Sequence, residues 1–360
     1  MSRAAVARID LTALKKNLGR AKSAAPNSRT LAIVKGNAYG HGLLRVSHAL
    51  DSVDAYGVAR IDEAVRLREG GIDKPVVVLE GFQDGSDLSA VREMGFHPVI
   101  HADHQITLLE SELRKSDDNP LSVWLKLDTG MHRLGFDASR FGQIYDRLKA
   151  HPQVDVSVLM THFACADDRL DSSTDRQIEL FDRITGDMQC PTSLANSAGL
   201  LSWPASQRQW IRPGIMLYGL SPFQNGQAAD DGLFAVMTFK SRIIALHEVA
   251  AGDSVGYGAT WTCARNSLVG VVAAGYADGY PRQAPAGTPL LVNGARCPLA
   301  GRVSMDMLCI DLTDHPKVKV GDTATLWGEG LPLEEVATHM GTIAYTLCCG
   351  ITSRTEYDYC

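Results

Sequence analysis

The 360-residue chain is expected to be an α/β protein, an N-terminal (β/α)8 TIM barrel followed by a mainly β C-terminal domain. Three observations carry that expectation. Eight short β-branched or aliphatic runs recur through the first two thirds, helical patterns separate many of them, and the pattern changes after a polar, turn-rich stretch. Alternating strand and helix argues for a parallel sheet. Eight such units in about 225 residues suit a closed barrel better than an open sheet.

In chain order the runs are Leu31–Val34, Ala55–Ala59, Val76–Leu79, Pro98–Ile100, Val123–Leu127, Val156–Met160, Ser193–Ala195 and Ile211–Leu217. Leu11, Leu14 and Leu18 behind the candidate N-cap Asp10 predict a helix. Ile178, Phe181 and Ile184 predict another over Asp175–Asp187. Ser221–Gly232, rich in turn residues, is the expected linker. Beyond it Phe239–Leu246, Leu268–Ala274, Leu290–Val292, Met307–Leu312 and Thr323–Trp327 read as strands, separated by turns such as Asn293-Gly294. The expected domains are 1–225, the barrel, and 226–360, the β domain, with the first few residues pairing with the latter.

A formal net charge of -6 argues against a broad electrostatic footprint for nucleic acid or an anionic membrane. Met1-Ser2-Arg3-Ala4-Ala5 runs into Arg8-Ile9-Asp10-Leu11 with no long apolar leader core, so a cytoplasmic protein is expected. The eight cysteines lack paired CxxC spacing, and His162 with Cys165 has no second pair at a recognisable distance. No metal is expected.

Several polar residues follow the proposed strands at their carboxyl ends, the face on which a barrel assembles its active site. Lys35 ends an apolar run and enters a turn with glycines at 36, 40 and 42. A desolvated amine there would be nucleophilic; a lysine snorkelling above a tight turn fits the same position. Arg133, His162, Asn196, Ser197 and Arg212 fall on the same expected face, Arg212 beside the glycine turn of Pro213-Gly214. Singly, each has a structural role available as an ion-pair, core or capping residue. Together they suit a phosphorylated cofactor beside an amine. Tyr257 and Tyr276 sit in glycine turns of the second domain, where a phenol can pack its ring or exchange a proton.

Val34-Lys35-Gly36-Asn37-Ala38-Tyr39-Gly40-His41-Gly42 and Lys126-Leu127-Asp128-Thr129-Gly130-Met131-His132-Arg133-Leu134-Gly135 resemble the cofactor-lysine and substrate-arginine segments of the pyridoxal-phosphate-dependent alanine racemases. Thr161-His162-Phe163-Ala164, Asn196-Ser197-Ala198, Arg212-Pro213-Gly214-Ile215, Gly256-Tyr257-Gly258 and Val303-Ser304-Met305-Asp306-Met307 follow in family order. The resemblance covers nearly the whole chain. It implies that Lys35 bonds pyridoxal 5'-phosphate, that Tyr39, Ser197, Gly214, Ile215 and Tyr345 hold the phosphate, and that Arg212, contacted by His162, faces the ring nitrogen.

It further implies a head-to-tail homodimer with shared sites. Lys35 would serve the D-isomer and Tyr257 of the partner subunit the L-isomer, with Arg133 and the partner's Met305 amide on the substrate carboxylate. Lys126 matches a position carbamylated in many members, the alternative being an unmodified lysine in an ion pair. Tyr276, Asp306 and Tyr345 match residues that narrow the entrance and favour alanine. The product D-alanine would feed peptidoglycan, or the reaction would run toward catabolism. Gly36 stands where many relatives carry alanine, and Thr346 where glutamate is common, which leaves a serine or broader-specificity racemase open. A decarboxylase and a non-catalytic cofactor carrier remain the alternatives from other classes.

Overall fold

The computed structural model describes residues 5–113 and 119–360. Met1–Ala4, on which the leader reading partly rests, lie outside the described residues. The first strand, β1 (Val6–Ile9), does not join the barrel. Eight strands do: β2 (Arg29–Ile33), β3 (Ala55–Val58), β4 (Val76–Val78), β5 (His97–Ile100), β6 (Leu121–Lys126), β7 (Val154–Met160), β8 (Thr192–Ser193) and β9 (Trp210–Ile211). They pair in sequence order, all parallel, and the barrel closes where Arg29 and Thr30 of β2 face Trp210 and Ile211 of β9.

Local chemistry explains much of this. β3 and β4 are buried along their whole length, as continuous apolar runs in a helix-covered sheet should be. The helix Leu11–Ala24 begins where the Asp10 carboxylate accepts from the Ala13 amide at 2.8 Å, and it buries Leu14, Leu18 and Ala21. The helix Ser173–Thr185 buries Ile178 and Phe181 on one face, starting two residues before the predicted span.

One predicted strand is mostly not a strand. Of Ile211–Leu217, only Ile211 lies in β9; Ile215–Tyr218 forms a 3-10 turn ending at Gly219 in the left-handed conformation, φ 73°. Pro213 lacks the amide proton that a ladder needs, so the apolar run bends over the barrel mouth instead of extending. That bend sets Ile215 in the wall of the cleft at the start of the 3-10 turn.

The second half of the chain builds mainly antiparallel sheets from β10 (Met237–Val249), β11 (Ser254–Val255), β12 (Trp261–Thr262), β13 (Ser267–Val272), β14 (Pro289–Val292), β15 (Ala295–Pro298), β16 (Leu308–Asp311), β17 (Thr323–Trp327) and β18 (Glu356–Tyr359), the last of which pairs parallel to β1. The largest runs β15-β14-β17-β10-β1-β18, so β1 lies between the long β10 and the last strand of the chain. Asn293 and Gly294, both at positive φ, turn β14 into β15 as a two-residue hairpin requires. Ser221–Gly232 is tied down: the Glu334 carboxylate accepts from the Ser221 and Ala228 amides. Among the described residues no helix is long and apolar enough to cross a membrane.

Candidate active site

A cleft of about 1840 Å³ opens at the carboxyl ends of the barrel strands, with Lys35, Tyr39, Lys126, Arg133, His162, Ser197, Arg212, Gly214, Ile215 and Tyr345 in its wall. The lysine enters it from an unusual turn. Gly36, Asn37, Ala38 and Tyr39 all have positive φ, from 51° to 62°, in a left-handed run. For each L-residue that conformation costs roughly 1–2 kcal/mol, so surrounding contacts must hold it. The Gly36 amide donates to Glu63 Oε1 at 2.6 Å, and Asn37 Oδ1 accepts from the Leu43 amide. His41 Nδ1 reaches the Tyr39 carbonyl at 2.8 Å, and the phenols of Tyr357 and Tyr359 in β18 donate to the Gly40 and His41 carbonyls. Gly40 packs on the Cys348 carbonyl with no room for a Cβ.

The Lys35 amine has no hydrogen bond or ion pair among the described residues. Burial lowers its pKa, and the nearby Arg133 guanidinium lowers it further. Lys126, at the end of β6 and 7% exposed, is brought down to about 8 by burial, with Arg212 and Arg133 adding repulsion. The loop carrying Arg133 is wound around Asp128, whose Oδ1 accepts from the amides of Gly130, Met131 and His132.

Arg212 is 3% exposed yet pairs with no carboxylate among the described residues. Its Nη1 donates to Ser193 Oγ at 2.7 Å, and Nη2 donates to the Thr161 and Leu194 carbonyls at 2.6 and 3.1 Å. His162 Nδ1 lies 3.4 Å from Nη2. Burial, reinforced by Arg212, holds His162 well below the usual imidazole range, so the neutral ring can accept. The Arg212 guanidinium falls only to about 10 and stays charged at neutral pH. Among the described residues nothing accepts from its Nε, which leaves that donor for a ligand.

Across the cleft, Ser197 Oγ accepts from the Gly214 amide at 2.9 Å and, more loosely, from Met216 at 3.4 Å, leaving the hydroxyl proton to be donated outward. A Cβ on Gly214 would lie 2.7 Å from the Tyr39 hydroxyl. Tyr39 stacks on Tyr218 at 4.7 Å and approaches Tyr345 at 5.9 Å. Burial raises the pKa of Tyr39 and Tyr345, keeping both phenols protonated as donors.

Tyr257, Tyr276, Met305 and Asp306 do not line this cleft. Tyr257 is 65% exposed and Met305 52%, and they stand with Tyr276 and Met307 on the β domain. The segments are knit together: the Tyr276 and Ala277 amides donate to the Ser304 and Met305 carbonyls, and Asp306 pairs with Arg354. Thr346 is exposed and is not in the cleft wall.

Sequence reading missed several groups that shape the cleft. Glu63, Glu80 and His101 lie in its wall. Gln177 donates to both Thr129 Oγ1 and the His162 carbonyl, joining the Arg133 loop to the strand end at His162. Their signal was weak because ordinary helix and strand-end positions supply them. Glu63 could have been flagged as the acidic third residue of the helix Ile61–Glu69.

Residues 9–222 match the model of the alanine racemase N-terminal domain, and residues 236–359 that of the C-terminal domain. Over 358 residues the chain is 50% identical to the alanine racemase of Vibrio parahaemolyticus, covering 99% of each. The crystal structure of the biosynthetic alanine racemase from Pseudomonas aeruginosa superposes with a TM-score of 0.96 at 45% identity, covering 100% of both chains. That of Bartonella henselae alanine racemase, with covalently bound pyridoxal phosphate, gives 0.90 at 27% identity, again over 100% of both. With both domain models matched in order and half the residues shared with a full-length relative, this chain belongs to the alanine racemase family.

Proposed function

We propose that the chain interconverts L- and D-alanine with pyridoxal 5'-phosphate bound in the cleft around Lys35. The observation that carries this reading is a cleft that holds the Lys35 amine, its pKa lowered by burial, and the buried Arg212 guanidinium, the amine and the guanidinium Nε both without a hydrogen-bond partner among the described residues. The residues fit the cofactor. Lys35 suits its aldehyde, and Arg212 Nε suits a ring nitrogen. Ser197, Tyr39, Tyr345 and the Gly214-Ile215 backbone suit a phosphate, and the missing Cβ at Gly214 leaves that space open. When bound, the cofactor withdraws electrons from the substrate α-carbon and so acidifies its proton.

The chain's own groups then move that proton. Lys35, with a lowered pKa, takes or returns it on one face of the α-carbon, and Tyr257 of the partner subunit does so on the other. Arg133 and the partner's Met305 amide hold the carboxylate. Arg212 does not readily surrender its proton, which limits charge spreading into the ring and disfavours transamination. The exposed position of Tyr257 and Met305, and a cleft larger than the ~300–1,000 Å³ of usual ligand pockets, support a contribution from a partner subunit. We therefore place the barrel function in 1–225 and the partner-facing function in 226–360, with Tyr276, Asp306 and Tyr345 at the entrance of a site shared in a head-to-tail homodimer.

Lys126 has no ion pair among the described residues, and two guanidiniums face it. We propose that it carries a carbamate, an anion that these cations stabilise and that orients Arg133. Only a neutral amine adds carbon dioxide, and a pKa of about 8 supplies one near neutral pH. With ¹³C-bicarbonate a carbamate resonance should appear above about pH 7 and fade on acidification; its persistence in Lys126→Ala would remove the assignment.

A chiral assay of L-amino acids with the purified holoenzyme tests the function. Alanine should racemise fastest. Fastest turnover of serine would shift the substrate, carbon dioxide release without isomerisation would indicate a decarboxylase, and cofactor binding without turnover a carrier.

A further inference from the structure

Glu63 is half-buried at the third position of the helix Ile61–Glu69, and both its carboxylate oxygens are used on backbone amides. Oε1 accepts from Gly36, whose nitrogen belongs to the Lys35–Gly36 peptide bond, at 2.6 Å; Oε2 accepts from Ala59, just past β3, at 2.9 Å. One side chain thus ties the entry of the left-handed run to the neighbouring barrel strand. Nothing else among the described residues accepts from the Gly36 amide. The carboxylate also stands within electrostatic reach of the Lys35 amine.

We infer that Glu63 is a positioning residue of the alanine racemase reaction, holding the Lys35–Gly36 peptide so that the lysine nitrogen points at the reacting carbon and keeping a negative charge beside it. The inference rests on the function proposed above. Geometry makes it specific to the carboxylate. The run Gly36–Tyr39 is strained, and its exit is held separately by the Tyr357 hydroxyl on the Gly40 carbonyl, 2.9 Å. Removing the exit contact loosens the same turn without touching the lysine's own peptide or its electrostatic surroundings.

Lys35 is faced by Arg133 from the loop after β6, by Lys126 from β6 itself, by Glu80 beyond β4, by Glu63, by Cys349 from the helix Ala344–Cys349, and by His162 beyond β7. Of these, Glu80 and Glu63 are carboxylates that favour the protonated nitrogen. Losing Glu63 therefore lowers the pH at which that nitrogen gives up its proton.

The test compares Glu63→Gln, Glu63→Asp and Tyr357→Phe with the parent as full-length holoenzymes, reading the pH midpoint of the visible absorbance of the lysine–cofactor linkage, kcat and KM for alanine, and thermal stability. Glu63→Gln keeps an acceptor for one amide only and removes the charge. Its absorbance midpoint should fall by about half a pH unit or more, and kcat by roughly tenfold to a hundredfold with KM changed less than threefold. Glu63→Asp should restore the midpoint but only part of kcat, because its reach is one methylene shorter. Tyr357→Phe should melt a few degrees lower with an unchanged midpoint. A parental midpoint and kcat in Glu63→Gln would overturn the inference, as would an equal midpoint shift in Tyr357→Phe. Lack of racemisation by the parent itself would instead overturn the function on which it rests.

Discussion

Lys35→Ala is expected to lower alanine racemisation by at least about 10³-fold, because in the proposed mechanism one substitution removes both the covalent attachment of the cofactor and one of the two groups that move the proton. The fold should survive. The amine makes no hydrogen bond or ion pair among the described residues, so its loss leaves no buried partner stranded. Thermal stability of the variant without cofactor should therefore match that of the parent without cofactor to within a few degrees. Borohydride reduction of the parent followed by peptide mapping identifies the attachment directly. Lys126 is the informative competitor, since it lines the same cleft and its pKa is lowered to about 8 by burial. Label recovered there, or full activity in Lys35→Ala, would refute the assignment.

The second large effect is expected at Tyr257, which the proposed mechanism sets on the other side of the α-carbon. Tyr257→Phe should reduce racemisation by about 10²–10⁴-fold, the usual contribution of a placed acid/base group. L- and D-alanine have equal free energies, so kcat/KM must fall equally in both directions. The one-sided nature of the lesion appears elsewhere: in heavy water the variant should still exchange the α-proton of D-alanine through Lys35 while making little L-alanine. If Tyr257 acts across a head-to-tail dimer, mixing inactive Lys35→Ala and Tyr257→Phe subunits rebuilds one intact site in each heterodimer. Random pairing then restores about a quarter of the parental activity. Failure of verified heterodimers to regain activity would mean that the two groups do not meet in a shared site. The exposed position of Tyr257 and Met305, away from the cleft wall, motivates the experiment.

Much of the fold was legible because its signals are local. Continuous apolar runs such as Val76–Val78 can be buried on both faces of a strand, and Asp10 caps a helix whose apolar residues recur at helical spacing. Asn293-Gly294 reads as a hairpin turn because both residues tolerate positive φ. Where local and distant demands conflict, the reading failed. Ile215-Met216-Leu217 looks like strand material, yet Pro213 and the barrel mouth turn it into a 3-10 bend. β18 was not predicted, because Glu356-Tyr357-Asp358-Tyr359 is polar in alternation and gains its place by pairing with β1 from the opposite end of the chain.

Within the site the division is similar. Sequence singled out Lys35, Arg133, His162, Ser197 and Arg212 because chemically distinctive residues recur just after apolar runs, and the barrel brings the ends of such runs to one face. It could not show that Asn37, Ala38 and Tyr39 are left-handed, since the intrinsic preference of each opposes that conformation. Nor could it show that Glu63 and Tyr357, from two separate elements, grip the two ends of that turn. Residue type and local spacing determined which groups are present and which strand ends carry them. Tertiary structure alone decided the direction of the lysine and left Tyr257 outside the cleft of its own chain, because contacts between residues distant in sequence outweigh the roughly 1–2 kcal/mol per residue by which local preference opposes such a turn.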